Sequence, residues 1–216
     1  ACTVGFGVGF GLILAVFLAK KTRLNGLLQS VAFSPYIVSL ASIALLWMWL
    51  MNNDFGFLNA LLAVFGIPAI DWLGSPKFAL MSLIIINVWK SVGYNALILV
   101  SALQGIPPHL YEAARLDRAN TWRTFSRITF PMISPTVFFL ALVDVIAAFK
   151  VFETIQIITQ GGPQNSTNTL VFSLYEYGFQ FYKVGYAAAI GVVLFFIVLL
   201  FTILYFAVLS KRVHYQ

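Results

Sequence analysis

Five apolar runs, roughly 1–19, 31–51, 78–100, 132–150 and 187–209, constrain this 216-residue chain more than any other feature. Each approaches the ~20 residues that an α-helix needs to cross the hydrocarbon of a bilayer. None alternates apolar with polar residues as a membrane β-barrel strand does, and in lipid only a helix or a closed barrel satisfies its own backbone. The predicted fold class is therefore all-α, a polytopic transmembrane helical bundle of about five spans. Composition agrees: 61% of residues are hydrophobic, 9% are charged and the mean hydropathy is +0.92, more apolar surface than a soluble domain of this size hides. The chain opens at Ala1, without a Met and already inside an apolar run. The numbering is thus expected to begin within a longer chain, with an N-terminal span missing. A signal peptide over Ala1–Ala19 lacks a basic flank before it and a small-residue cleavage site after it. Residues 1–216 are read as a single transmembrane domain.

Basic residues set the expected topology, because Lys and Arg near helix ends mark the cytoplasmic side. The segments 20–30, 101–131 and 210–216 hold Lys20, Lys21, Arg23, Arg115, Arg118, Arg123, Arg127, Lys211 and Arg212. The opposite loops hold Lys77, Lys150 and Lys183. The fragment is expected to start outside, to end inside and to present its longest polar segment, 101–131, to the cytoplasm. The net charge of +6 is accounted for by this asymmetry. A nucleic-acid partner is excluded, since the basic residues are dispersed and lack interleaved aromatics. Cys2 has no second cysteine to pair with and no neighbouring ligands, so no metal or redox chemistry follows.

On the outer side, 52–77 reads as a loop with a short amphipathic piece around Phe55–Phe65, and Trp47, Trp49 and Trp72 suit an aromatic belt. Gln160–Ser166 is a turn cluster, and Thr169–Tyr186 is half-apolar and expected to pack partly within the membrane. Gly5/Gly9 and Gly7/Gly11 are overlapping small-xxx-small spacings, suited to packing within the chain or to a dimer seam.

The 101–131 segment is far longer than a connection between spans requires. Pro107-Pro108 can open a helix, and Leu110–Leu116 continues with good helix formers. Ala113 and Ala114 leave a low surface on which another protein can close, with Glu112, Arg115 and Asp117 as polar anchors. After Asn120, Thr121–Ile128 reads as a second short helix that Pro131 stops before the next span.

Glu112-Ala113-Ala114, followed by Asp117, Ala119, Phe125, Ile128 and Pro131, resembles the "EAA" loop of permease subunits in type I binding-protein-dependent ABC importers. Leu103–Pro107, Thr159–Thr167 and the closing Lys211-Arg212-Val213 extend the resemblance over nearly the whole fragment, toward the carbohydrate and glycerol-3-phosphate permeases related to the maltose system. One position departs from the pattern: Arg118 stands where the family has Gly. Either the backbone turns differently there or Arg118 bears the strain of positive φ. Phe130 replaces the family's Leu and keeps an apolar contact.

The resemblance implies the type I importer permease fold in a bacterial or archaeal cytoplasmic membrane. It also implies a path for a sugar, polyol or glycerol-3-phosphate-like solute delivered by an extracytoplasmic binding protein. Expected partners are two nucleotide-binding ATPase subunits, a second, non-identical permease and membrane lipid. The chain is not expected to be an enzyme or to bind a cofactor itself. It has no GxxxxGK[ST] loop, so ATP and Mg belong on the partner subunits. The loop Glu112–Ile128 would dock in an ATPase cleft and act as a lever.

Lys90, Asn95 and Asp144 lie within apolar spans, where polar groups are costly and tend to face a bundle interior or a path. With Tyr94 and Phe149, which can stack on a sugar ring, they are the candidate path residues. Packing and interhelical hydrogen bonds are the alternative for each of them, and Lys90 can also snorkel or pair with Asp144. The rival functional class is an ion- or proton-coupled secondary transporter, for which Asp144 is the one clear intramembrane carboxylate. His109 and His214 are isolated, and no nucleophile or carboxylate pair supports a membrane enzyme.

Overall fold

A computed structural model describes residues 2–209. The closing Lys211-Arg212-Val213, His214 and the expected cytoplasmic tail lie outside the described residues. Helices α1 (Cys2–Leu18), α2 (Arg23–Ile37), α3 (Leu40–Leu50), α4 (Phe57–Val64) and α5 (Pro76–Gln104) run in chain order. Next come α6 (Pro108–Leu116), α7 (Thr121–Thr124), α8 (Phe130–Phe149), α9 (Leu170–Tyr175) and α10 (Val184–Leu209). No strand occurs among the described residues.

All five apolar runs are helical, though not all as single straight spans. Pro76–Gln104, Thr121–Phe149 and Val184–Ala207 are long and apolar enough to cross a membrane, and Cys2–Leu18 is a shorter apolar helix. The run expected as one span over 31–51 is broken into α2 and α3 at Val38–Ser39. Pro35 lies inside α2, where its ring takes away one backbone donor and crowds the preceding turn. The Ser34 hydroxyl donates instead to the Val31 carbonyl, at 2.8 Å. Proline has the opposite outcome from the one expected at Pro131. There α7 continues into α8 through a wider π-helical turn, Phe125–Thr129. This turn gives the ring room where a regular helical carbonyl would collide with it.

The chain packs as two compact units. One holds the residues up to Tyr36, Lys90–Val145 and the chain from Phe201; the other holds Ile37–Trp89 and Ile146–Leu200. The core of the first is built from α1, α5 and α8, with Val8, Ala15, Leu99, Ile133 and Leu140 at its centre. Tyr205 of α10 closes it, stacking on Phe138 at 4.5 Å and donating to the Phe138 carbonyl at 2.8 Å.

In the second unit, Ile43, Trp47, Met51 and Ile86 form one cluster, and Leu83, Ile155 and Phe172 another. Only Trp49 of the expected aromatic belt faces outward. Trp47 is buried against Trp89 with its indole N–H lacking an acceptor among the described residues, whereas the half-buried Trp72 indole donates to buried Asn59 at 2.9 Å. The Gln160–Ser166 cluster is a tight turn: Gln160, Gly161, Gln164 and Asn165 all take positive φ. Buried Thr167 ties it down by donating to the Gly162 carbonyl at 2.6 Å. The most apolar window of α10 is only 6% buried inside the protein, so most of that surface requires lipid or another subunit.

Candidate functional site

Two groups of side chains, both within the first unit, carry the expected chemistry. The first is the loop. Its helix α6 begins at Pro108, as the paired prolines predict, and is anchored below by Ile106, Leu110 and Tyr111 in the core of the unit. It ends in a Schellman turn. The amide of Ala119 donates to the Ala114 carbonyl at 2.9 Å, and that of Arg118 to the Arg115 carbonyl at 3.0 Å. Arg118 takes φ +50°, so the chain keeps the left-handed turn and places the strain on a residue with a Cβ. Asn120 then caps α7 by accepting from the Arg123 amide at 2.7 Å. A hydrogen bond of 3.2 Å between the hydroxyls of Tyr111 and Thr129 ties α6 to the π-helical turn.

Within this brace the motif residues divide by face. Glu112, Ala113 and Asp117 are exposed, whereas Ala114 is buried and Ala119, Phe125, Ile128 and Pro131 are half-buried. The paired alanines therefore do not share one docking surface: Ala113 faces out, and Ala114 is the contact of α6 with its own chain. Leu116, 85% exposed, lies one turn beyond Glu112 and extends the outward face. Sequence reading passed over Leu116, although its spacing from Glu112 held the signal.

The second group surrounds Asn95, which is fully buried on α5. Its Nδ2 donates to Asp144 Oδ2 at 2.7 Å, and its Oδ1 has no partner. Helix α1 presses on this pair through glycine. A Cβ at Gly11 would stand 2.7 Å from Asn95 Cβ, and one at Gly7 would meet Ser91 Oγ at 3.0 Å and Asp144 Oδ2 at 3.3 Å. Gly5 and Gly9, by contrast, meet nothing within 4 Å. The Gly7/Gly11 face thus serves packing within the chain, and small residues are what let helices approach this closely.

One turn before Tyr94, the Lys90 ammonium donates to the carbonyls of Pro35 and Tyr36, at 3.4 and 3.2 Å. It closes the broken end of α2 as a C-terminal cation. It also lies 5.7 Å from the Tyr36 ring, which stacks on Tyr94 at 4.4 Å. The structure therefore gathers Lys90, Tyr94, Asn95 and Asp144 in one unit and adds Tyr36, which the sequence did not single out. Phe149, half-buried at the end of α8, belongs to the other unit.

A helical bundle with a braced loop between two long spans and intramembrane polar groups is the architecture of a membrane permease. The family described as "binding-protein-dependent transport system inner membrane component" matches residues 7–215. The chain is 36% identical over 215 residues to the sn-glycerol-3-phosphate transport system permease protein UgpA of Pectobacterium atrosepticum, covering 96% of this chain and 72% of the relative. It is 33% identical over 201 residues to the trehalose/maltose transport system permease protein MalF of Thermococcus litoralis, covering 92% and 67%. A chain of the crystal structure of a bacterial alginate ABC transporter, in complex with alginate pentasaccharide-bound periplasmic protein, has the same fold. It superposes with a TM-score of 0.87 at 24% identity, over 97% of this chain and 74% of that one. The chain belongs to this family, a family of transport permeases: it is a multi-pass membrane permease of a type I ABC importer.

Proposed function

We propose that this permease forms the path for a sugar, polyol or glycerol-3-phosphate-like solute, and that the loop between α5 and α8 couples the path to ATP hydrolysis on a separate subunit. Relatives named for glycerol-3-phosphate and for trehalose/maltose support the solute class. The partners are two nucleotide-binding subunits that hold ATP and Mg, a second, non-identical permease and an extracytoplasmic solute-binding protein. The 101–131 loop and the C-terminus face the cytoplasm, in keeping with the basic residues there.

The observation that carries the coupling role is the stiffness of α6. A lever must transmit motion without folding up, and α6 is fixed by the buried Ala114, the Schellman turn and the Tyr111–Thr129 bond. Its outward face, Glu112, Ala113 and Leu116, remains free to enter a cleft. Ala113→Trp and Glu112→Lys are expected to lose the ATPase subunit on copurification and to lose solute-stimulated ATP hydrolysis, with normal membrane abundance. Ala114→Trp is not an equivalent probe, because it overpacks the chain's own interior at a cost of about 1–3 kcal/mol. Full coupled transport in both Ala113→Trp and Glu112→Lys would remove the lever. Uptake that survives ATP depletion but collapses with the proton gradient would favour a secondary carrier.

For the path, Lys90, Tyr94, Asn95, Asp144 and Phe149 remain the proposed residues. The burial of Asn95 under Gly11 favours a second reading, in which the Asn95–Asp144 bond locks α5 to α8. Asn95→Leu separates the two. Lost transport in an assembled complex that still hydrolyses ATP supports the path, lost assembly supports the lock, and unchanged uptake excludes both.

A further inference from the structure

The first turns of the Thr121–Phe149 helix belong to the loop expected to couple to the ATPase, but carry a face distinct from the outward face of α6 and from the proposed path residues. At 1.5 Å per residue, the 29 residues of this helix extend about 43 Å against about 30 Å of hydrocarbon, so about nine residues stand beyond the apolar layer. The surplus lies at the Thr121 end. Thr121–Thr129 is polar and basic, whereas the only charge between Met132 and Phe149 is Asp144. This end therefore falls at headgroup depth. Trp122, 75% exposed, stacks on Phe125 at 6.1 Å, and Phe130 is exposed two turns further on. Arg123 and Arg127, spaced one turn apart, are both exposed beside these rings. No Asp or Glu occurs from Arg118 to Val143.

We propose that Trp122, Arg123, Arg127 and Phe130 clamp the headgroup of an anionic phospholipid. The two guanidinium groups take the phosphate in forked hydrogen bonds, and the aromatic rings lie along the glycerol and upper acyl carbons. Phosphate is an anion that planar guanidinium donors fit, and no acidic side chain of the same helix stands before Asp144 to offset the attraction. The clamp rests on the reading of Thr121–Phe149 as a membrane span and on α6, rather than this face, entering the ATPase cleft.

The test uses the assembled transporter in nanodiscs of phosphatidylcholine with and without phosphatidylglycerol, with the lipid retained through detergent extraction counted by mass spectrometry. Wild type is expected to retain phosphatidylglycerol over phosphatidylcholine, and R123Q/R127Q to lose about 30-fold of that preference while phosphatidylcholine retention stays unchanged. R123K/R127K is expected to keep part of it. Raised salt should weaken the preference in the wild type as well, a reading that needs no variant. A wild type without preference overturns the proposal, as does a preference unmoved by salt and by substitution. Displacement by inorganic phosphate at the same concentration would make this a free-anion site. Loss of the ATPase subunit from R123Q/R127Q in phosphatidylcholine alone would assign the face to a protein. Either result also overturns the clamp.

Discussion

Gly9 and Gly11 are the same residue type on the same helix, yet their surroundings give them opposite tolerances. Gly11 backs onto Asn95, where an added methyl would stand 2.7 Å from Asn95 Cβ, while Gly9 meets nothing within 4 Å. Gly11→Ala is therefore expected to destabilise the bundle by about 1–3 kcal/mol, because neither helix has room to give. Gly9→Ala is expected to be neutral or to add a few tenths of a kcal/mol, since alanine is the better helix former. Thermal unfolding of the two variants in one detergent checks the contrast. Equal melting temperatures would show that α1 does not press on Asn95. The sequence displays the glycine spacing but not which pair faces inward, because the flanking residues are apolar all round and a lipid-facing helix has no polar side to orient it.

Among elements, the loop shows how a local rule can be broken and the motif still form. The α6–α7 turn asks for φ > 0 and finds Arg118 there, at φ +50°. Left-handed backbone on a residue with a Cβ costs about 1 kcal/mol or more. Arg118→Gly is expected to relieve that strain and to slow hydrogen exchange at the Ala119 amide about five-fold, with ATPase coupling unchanged. Faster exchange would mean that the arginine side chain, not the backbone, holds the turn. Helix α6, its proline start and the Gln160–Ser166 turn were legible because prolines, glycines and helix formers act locally. The π-helical turn before Pro131 was not, since the same residues fit an ordinary helix until the ring's clash with the preceding turn is counted. The inward aim of Ala114 was equally hidden: two adjacent alanines carry no moment that tells one face from the other.

At the scale of the whole molecule, hydropathy locates the five helical stretches but not the break in the second, because a windowed average is blind to a change of direction. The expected orientation yields a direct test. On a Cys2→Ser background, needed because Cys2 is exposed, His109→Cys and Asn53→Cys place single thiols at exposed positions in the first turn of α6 and just after α3. An impermeant reagent is expected to label Asn53→Cys from outside intact cells and His109→Cys only in inverted vesicles. Labelling of both from one side would refute the topology.

The closure of α2 by Lys90 also sets a clock. The ammonium that caps Tyr36 is 54 residues further along the chain. At about 5–20 residues per second on the ribosome, α2 is finished about 3–10 s before its cap exists. Its last carbonyls cannot rest in hydrocarbon during that interval without a partner. They must stay near water, at the insertion machinery or at the membrane surface, until α5 is threaded in beside them. The order of synthesis thus becomes an order of entry into the bilayer, in which the end of α2 reaches its final depth only when α5 does.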